Sequence, residues 1–207
     1  RFTRAKVPPG RLALRKTSDH AVARIQPANL RAAAGQFRFE VAVEGLVTGG
    51  EFRMLAIFDK PDPLDGPFFE ETIYVTPSRL PAERQSEIAE TAERAARALG
   101  LMHGAVHAEF RVNPEGVWPL EIAPRSIGGL CSRALRFEGG DSLEVILLRH
   151  ALGDGAEIRR ETVASGVMMI PIPRAGRLRA VRGADEARSV PGGVELNLTQ
   201  PIGSELV

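Results

Sequence analysis

The chain has 207 residues, enough for one sizeable core or for one and a half lobes of a larger enzyme. A net charge of +1, with 43 % hydrophobic and 5 % aromatic residues, is ordinary for a soluble globular protein. No apolar run approaches the length of a membrane span, and no signal-peptide pattern is visible at the start. The single Cys131 excludes an internal disulfide, so a cytoplasmic location is expected.

Charge is uneven along the chain. Arg1, Arg4, Lys6, Arg11, Arg15, Lys16, Arg24 and Arg31 crowd the first residues against Asp19 alone. Residues 1–36 read as an irregular basic segment, a remnant or linker in which Val7-Pro8-Pro9-Gly10 is a turn signal. Without aromatic interleaving or a reading module, no nucleic-acid partner is expected.

Residues 37–48 alternate Phe39, Val41 and Val43 with Glu40, Ala42 and Glu44, predicting a strand. Gly49-Gly50 turns the chain back, and residues 51–58 return with Phe52, Met54, Ala56 and Phe58 on one face. The stretch from Asp59 to Gly66, broken by Pro61 and Pro63, is expected to be a loop. In it Asp59, Lys60, Asp62 and Asp65 read as solvated turn residues at the rim of a substrate pocket. A strand is expected from Glu70 to Val75, where only one of Glu70 and Glu71 can face a site.

Pro81 opens a helix that runs to Leu99, with an inner stripe of Ile88, Ala92, Ala95, Ala96 and Leu99. A second helix starts at an Asp141/Glu144 capping box, faces Leu143, Ile146, Leu147 and Ala151 inward, and stops at Gly153. Residues 155–207 are expected to form an accessory β-rich module. Its strands are 167–170 and 194–198, with a turn and strand from Arg174 and one helical turn at 183–188. The fold class is α+β: an antiparallel sheet, two packed helices and a small β-rich tail.

Between the helices lies the most telling stretch. His107, Glu109 and Arg111 share one face of a strand, and Asn113-Pro114-Glu115-Gly116 turns it. With a three-residue loop, Val112 pairs with Trp118 and Glu109 falls opposite Glu121. Paired like charges repel, which calls for a cation. Mg²⁺ fits a site of two carboxylates completed by water and phosphates. Arg125 and the pair Gly128-Gly129 follow and could hold anionic groups beside the metal. A plain solvated face is the competing reading, with Arg111 or Arg125 neutralising the glutamates.

Other candidates carry less. His20, His103, His107 and His150 show no zinc spacing. His107 reads equally as a structural histidine or a substrate contact, and Cys131 as a small buried residue. Ser126 and Ser132 lack a nucleophile elbow.

The run from Gly104 through His107, Glu109 and Arg111, then Glu121-Ile-Ala-Pro-Arg125-Ser-Ile-Gly128-Gly129, resembles the C-terminal lobe of ATP-grasp enzymes. The similarity is strongest to ATP-dependent carboxylate–amine ligases, the group of the L-amino acid ligases, and weaker to biotin carboxylase and carbamoyl phosphate synthetase. The string from Phe58 to Glu71 with Tyr74-Val-Thr-Pro-Ser78 resembles one ligase branch. Residues 37–154 would form the lobe, and the resemblance covers the stretch from about Glu40 to Gly153.

The resemblance implies an ADP-forming ligase that joins a carboxylate to an amine through an acyl phosphate. ATP would be co-substrate, Mg²⁺ or Mn²⁺ the cofactor, small carboxylates and amines (amino acids among them) the partners, and a homodimer is compatible. It implies that Glu109 and Glu121 hold the metal and that Arg125 steadies the γ-phosphate. ATP phosphates would meet Glu109, Glu121, Arg125, Gly128 and Gly129.

Two departures stand out. Ala123 occupies a position where the family usually has Asn, and Arg38 the glycine position of the pattern ending in Glu40 and Glu44. A bicarbonate-activating enzyme or a non-catalytic nucleotide-binding module are the alternatives. The chain lacks the expected lobe with a glycine-rich loop and lysine, so a fragment inactive alone is expected.

Overall fold

In the computed structural model, the described residues are 12–17, 20–25, 39–62, 72–154, 157–172, 174–192 and 195–206. They fall into two compact units divided after Met169. The first carries strands β1 (Leu12–Thr17), β2 (His20–Ile25), β3 (Phe39–Thr48), β4 (Glu51–Lys60) and β5 (Ile73–Thr76). Helix α1 (Ala82–Ala98), strands β6 (His103–Asn113) and β7 (Gly116–Ala123), helix α2 (Leu143–Ala151) and strand β8 (Ser165–Met168) follow. All eight strands form one sheet in the order β1-β2-β7-β6-β3-β4-β5-β8, antiparallel at each pairing.

The sheet has two unlike faces. One is covered by α1, where Ile88, Ala92 and Ala96 pack on Val41, Val43, Ile57, Val106, Phe110 and Ile122. Alanines in the stripe let helix backbone approach sheet, and Thr91 joins the buried positions through an Oγ1 bond to Glu87 O (2.8 Å). Ala95 and Leu99 pack at the margin. The other face is partly covered by residues 127–147, with Leu135, Phe137, Leu143 and Ile146 over Ala42, Leu46 and Phe58. The far end of α2 is tied to the sheet by His150, whose ring Nε2 lies 2.7 Å from Thr48 Oγ1 and which stacks on His103.

Several expectations change. Residues 12–17 and 20–25, expected to be irregular, are paired strands, and β2 pairs onto β7. The expected common face of Phe52, Met54, Ala56 and Phe58 is split by a bulge, because Glu44 pairs with Ala56 but Gly45 with Met54. The extra residue, Leu55, reverses the alternation. Phe52 and Met54 therefore pack on the α1 side and Ala56 and Phe58 on the other. Helix α2 is capped by Ser142, whose Oγ accepts from Val145 N (3.4 Å), rather than by Asp141, and Ala151 is exposed.

Residues 165–168 join the main sheet as β8 instead of a trailing module. In the second unit, strands β9 (Gly176–Arg177) and β10 (Glu205–Leu206) pair, and helix α3 (Ala184–Arg188) fills the expected helical turn. Residues 195–198 form no strand. Arg38, Asp65, Glu70, Glu71 and the 7–10 turn lie outside the described residues.

Gly45 marks the bulge. A Cβ there would sit 2.4 Å from the Phe52 ring and 2.9 Å from Arg53 O, so the strands close only on glycine. Gly45→Ala is expected to lower stability by about 1–3 kcal/mol through overpacking. Urea denaturation checks this: an unchanged midpoint would contradict the bulge's tight fit.

Candidate functional site

The α1-free face carries its polar residues in three cross-strand rows near one end of the sheet. The first runs Trp118, Arg111, Glu40, Lys60 across β7, β6, β3 and β4. The second runs Glu121, Glu109, Ala42, Phe58, and the third Ala123, His107, Glu44, Ala56. On β2, Arg24 stands opposite Glu121 in the register. Alternation along each strand puts these positions on one face.

The predicted pairing of Glu109 with Glu121 is present, reached by a different route. The turn holds two residues, not three: Asn113 pairs with Gly116, and Val112 with Val117 rather than Trp118. Asn113 Oδ1 accepts from Glu115 N (2.9 Å) and Gly116 N (3.0 Å), an Asx-type closure that favours the shorter turn. A bulge between Glu109 and Phe110 in the β6–β7 ladder then absorbs Leu120 and restores the glutamate pair.

Lys60 is the residue the sequence reading misplaced. It closes β4 and is only 4 % exposed. Its Nζ lies 3.0 Å from Glu40 Oε1 and 3.2 Å from Glu109 Oε1, and 5.1 Å from the centre of the Tyr74 ring. Arg111 Nε donates to the other Glu40 oxygen at 3.0 Å, so Arg111 is committed to Glu40. Phe58 and Lys60 sit two apart, which is the signal that the strand continues to Lys60; the following Pro61 hid it.

His107 Nε2 approaches Glu109 Oε1 at 3.3 Å. Burial raises the Glu109 pKa most strongly of the single influences. The His107 hydrogen bond and the Lys60 charge together outweigh it and bring the pKa down to about 2. Glu109 is therefore ionised at neutral pH.

Glu44, one row away, has the opposite state. It is 0 % exposed, and burial pushes its carboxyl up to about 8, against the Ile127 N–H bond (2.9 Å) and the charge of Arg125. Glu44 Oε1 and His107 Nδ1 are buried without a hydrogen-bond partner, and Nδ1 lies 3.8 Å from Glu44 Oε2.

Arg125 follows β7 and reaches Glu121 Oε1 at 3.6 Å. Its guanidinium also donates to Ser126 O at 2.9 Å. Gly128 and Gly129 lie in the turn beyond, where Gly128 O accepts from Cys131 N (3.1 Å). Gly129 has φ +61°, and a Cβ there would meet Met169 Sδ at 3.1 Å. That turn places the two glycines. Cys131 is buried, as expected.

Among the described residues no group of three or more His, Cys, Asp or Glu has metal-binding spacing. The donor set is two carboxylates, one held ionised, on one face. That suits a hard cation that takes a few carboxylates and completes its shell with water and phosphate oxygens. Among the described residues, no helix is long and apolar enough to cross a membrane.

Residues 38–134 match the ATP-grasp domain, and the sheet built here carries that fold. The L-amino acid ligase of Bacillus licheniformis superposes with a TM-score of 0.70 at 25 % identity, over 83 % of this chain and 43 % of that one. Carnosine synthase 1 of Gallus gallus is 39 % identical over 87 residues, 42 % of this chain and 9 % of its own length. Alanine–anticapsin ligase of Bacillus subtilis (strain 168) is 36 % identical over 72 residues, 35 % of this chain and 15 % of its own. The chain thus spans less than a fifth of these curated relatives. The stretch 38–134 matches the ATP-grasp domain, and the relatives it resembles are ligases.

Glu44 generates a pH dependence with a definite sign. Its folded pKa is raised, so the stability it contributes is full below 4.5 and is lost as pH rises through about 8. Chain stability should fall across that window, and Glu44→Gln should flatten the fall. Chemical denaturation at a series of pH values checks it; an equal decline in the variant would contradict a protonated Glu44.

Proposed function

We propose that this chain supplies the metal-carboxylate side of an ADP-forming ligase that joins a carboxylate to an amine through an acyl phosphate. The observation that carries the reading is the cross-strand pair Glu109 and Glu121, with Arg125 beside it and Glu109 kept ionised. The amino acid ligase, carnosine synthase and alanine–anticapsin ligase relatives favour amino acids as substrates. Cytoplasmic amine and carboxylate pools suit such an enzyme.

Glu109 and Glu121 would hold a Mg²⁺ or Mn²⁺ ion. When bound, it neutralises charge on the oxygens of the transferring phosphoryl group. Lys60 and His107 keep Glu109 in its charged form. Arg125, half exposed at the strand end, offers a guanidinium to the phosphoryl group and to the acyl phosphate. Backbone N–H groups of the Gly128-Gly129 turn add neutral donors where anionic charge develops. Glu44, fully buried and bonded to Ile127 N, anchors that turn to β3.

Ala123 is fully buried and pairs with His107. It gives the site no third side-chain oxygen at that place, which limits the protein ligands of the reading to the two glutamates.

In a complete enzyme carrying this chain, Glu121→Gln should lower turnover a hundredfold or more, on the order of 3 kcal/mol in the barrier. Amine-dependent ADP release measures it. Near-normal release from the variant at saturating Mg²⁺ would remove Glu121 as a ligand. Tight nucleotide binding by the unaltered enzyme with no amine-dependent ADP would favour a binding module instead.

A further inference from the structure

Lys60 has no part in the reading above beyond charge, yet its geometry is specific. Its ammonium is buried at the end of β4 and is anchored on Glu40, whose second oxygen is held by Arg111. From that anchor it meets Glu109 at Oε1, the same oxygen that faces His107 Nε2. Both contacts of Glu109 among the described residues therefore fall on one oxygen. A glutamate with two side-chain donors on Oε1 loses most of its rotamer freedom, and Oε2 becomes the oxygen turned to any cation shared with Glu121.

We propose that Lys60 is a positioning residue: anchored on Glu40, it fixes Glu109 through Oε1 and so presents Oε2 to the metal ion. The inference rests on the reading of Glu109 and Glu121 as metal ligands. It also makes a prediction opposite in sign to simple electrostatics. A cation 3.2 Å from a metal ligand repels the incoming metal, so its removal should tighten binding if charge alone matters. If Lys60 positions Glu109, its removal should weaken binding, because the carboxylate must then be ordered when the metal arrives.

The test is Mn²⁺ titration of the 207-residue chain at neutral pH, with free Mn²⁺ read by electron paramagnetic resonance. Four proteins are compared: the unaltered chain, Glu109→Gln, Lys60→Met, and the double variant Lys60→Met with Glu40→Gln. The double variant removes one charge of each sign, so Arg111 and Glu109 stay balanced. Circular dichroism follows folding.

The expected result is a loss of Mn²⁺ binding in Glu109→Gln and an approximately tenfold rise in Kd for both Lys60 variants. Binding in Glu109→Gln equal to that of the unaltered chain would overturn the metal reading and this inference with it. Loss in Glu109→Gln together with unchanged or tighter binding in the Lys60 variants would overturn the inference alone. Unfolding of both Lys60 variants would make Lys60 a structural residue and would equally overturn it.

Discussion

A buried ammonium has to be met by carboxylates, because an isolated charge in a protein interior costs several kcal/mol. Lys60 meets that requirement with Glu40 on the neighbouring strand and Glu109 one strand further. Breaking one partner from such a group leaves an uncompensated charge, so the three side chains hold β4, β3 and β6 in one register. A one-residue slip of β6 would turn Glu109 to the α1 side and bury it against Val41 and Ile57. The register that satisfies Lys60 is also the one that aligns Glu109 with Glu121.

On this frame, two glutamates on the same face adopt opposite states. Glu44 lies where residues 127–147 close over the sheet; burial dominates and its carboxyl takes a proton. Glu109 lies one row nearer the open end, next to Lys60 and His107, and stays charged. A protonated Glu44 supports the turn that carries Gly128 and Gly129, while an ionised Glu109 pairs with the Lys60 ammonium. Environment, not residue type, sets the two carboxyl states.

Much of this was legible in the residues, and the failures have physical causes. Alternation at 39–44 and 107–111 located the strands and the face. The Glu109 and Glu121 pairing survived a wrong turn length because a bulge added back the residue that the shorter turn removed. Neither bulge had a sequence signal strong enough to predict, so the faces of Phe52 and Met54 were misjudged. Lys60 was lost to the loop reading of its proline-rich sequel. Local composition also failed at 12–17 and 20–25, where pairing onto β7 supplies strand order that a basic, irregular stretch does not advertise. Small apolar residues and a half-buried serine cap set the helices, whose positions were read well from period and breakers.

Direct observation of the two carboxyl states reaches the centre of this account. Carboxyl carbon resonances of Glu44 and Glu109, assigned with the Gln variants in a glutamate-labelled chain, report protonation residue by residue. The account predicts Glu44 protonated at pH 6 and titrating near 8, and Glu109 still ionised at pH 4. Both residues titrating together near the ordinary carboxylate value of 4.5 would contradict it, and with it the burial that raises Glu44 and the His107 and Lys60 contacts that lower Glu109.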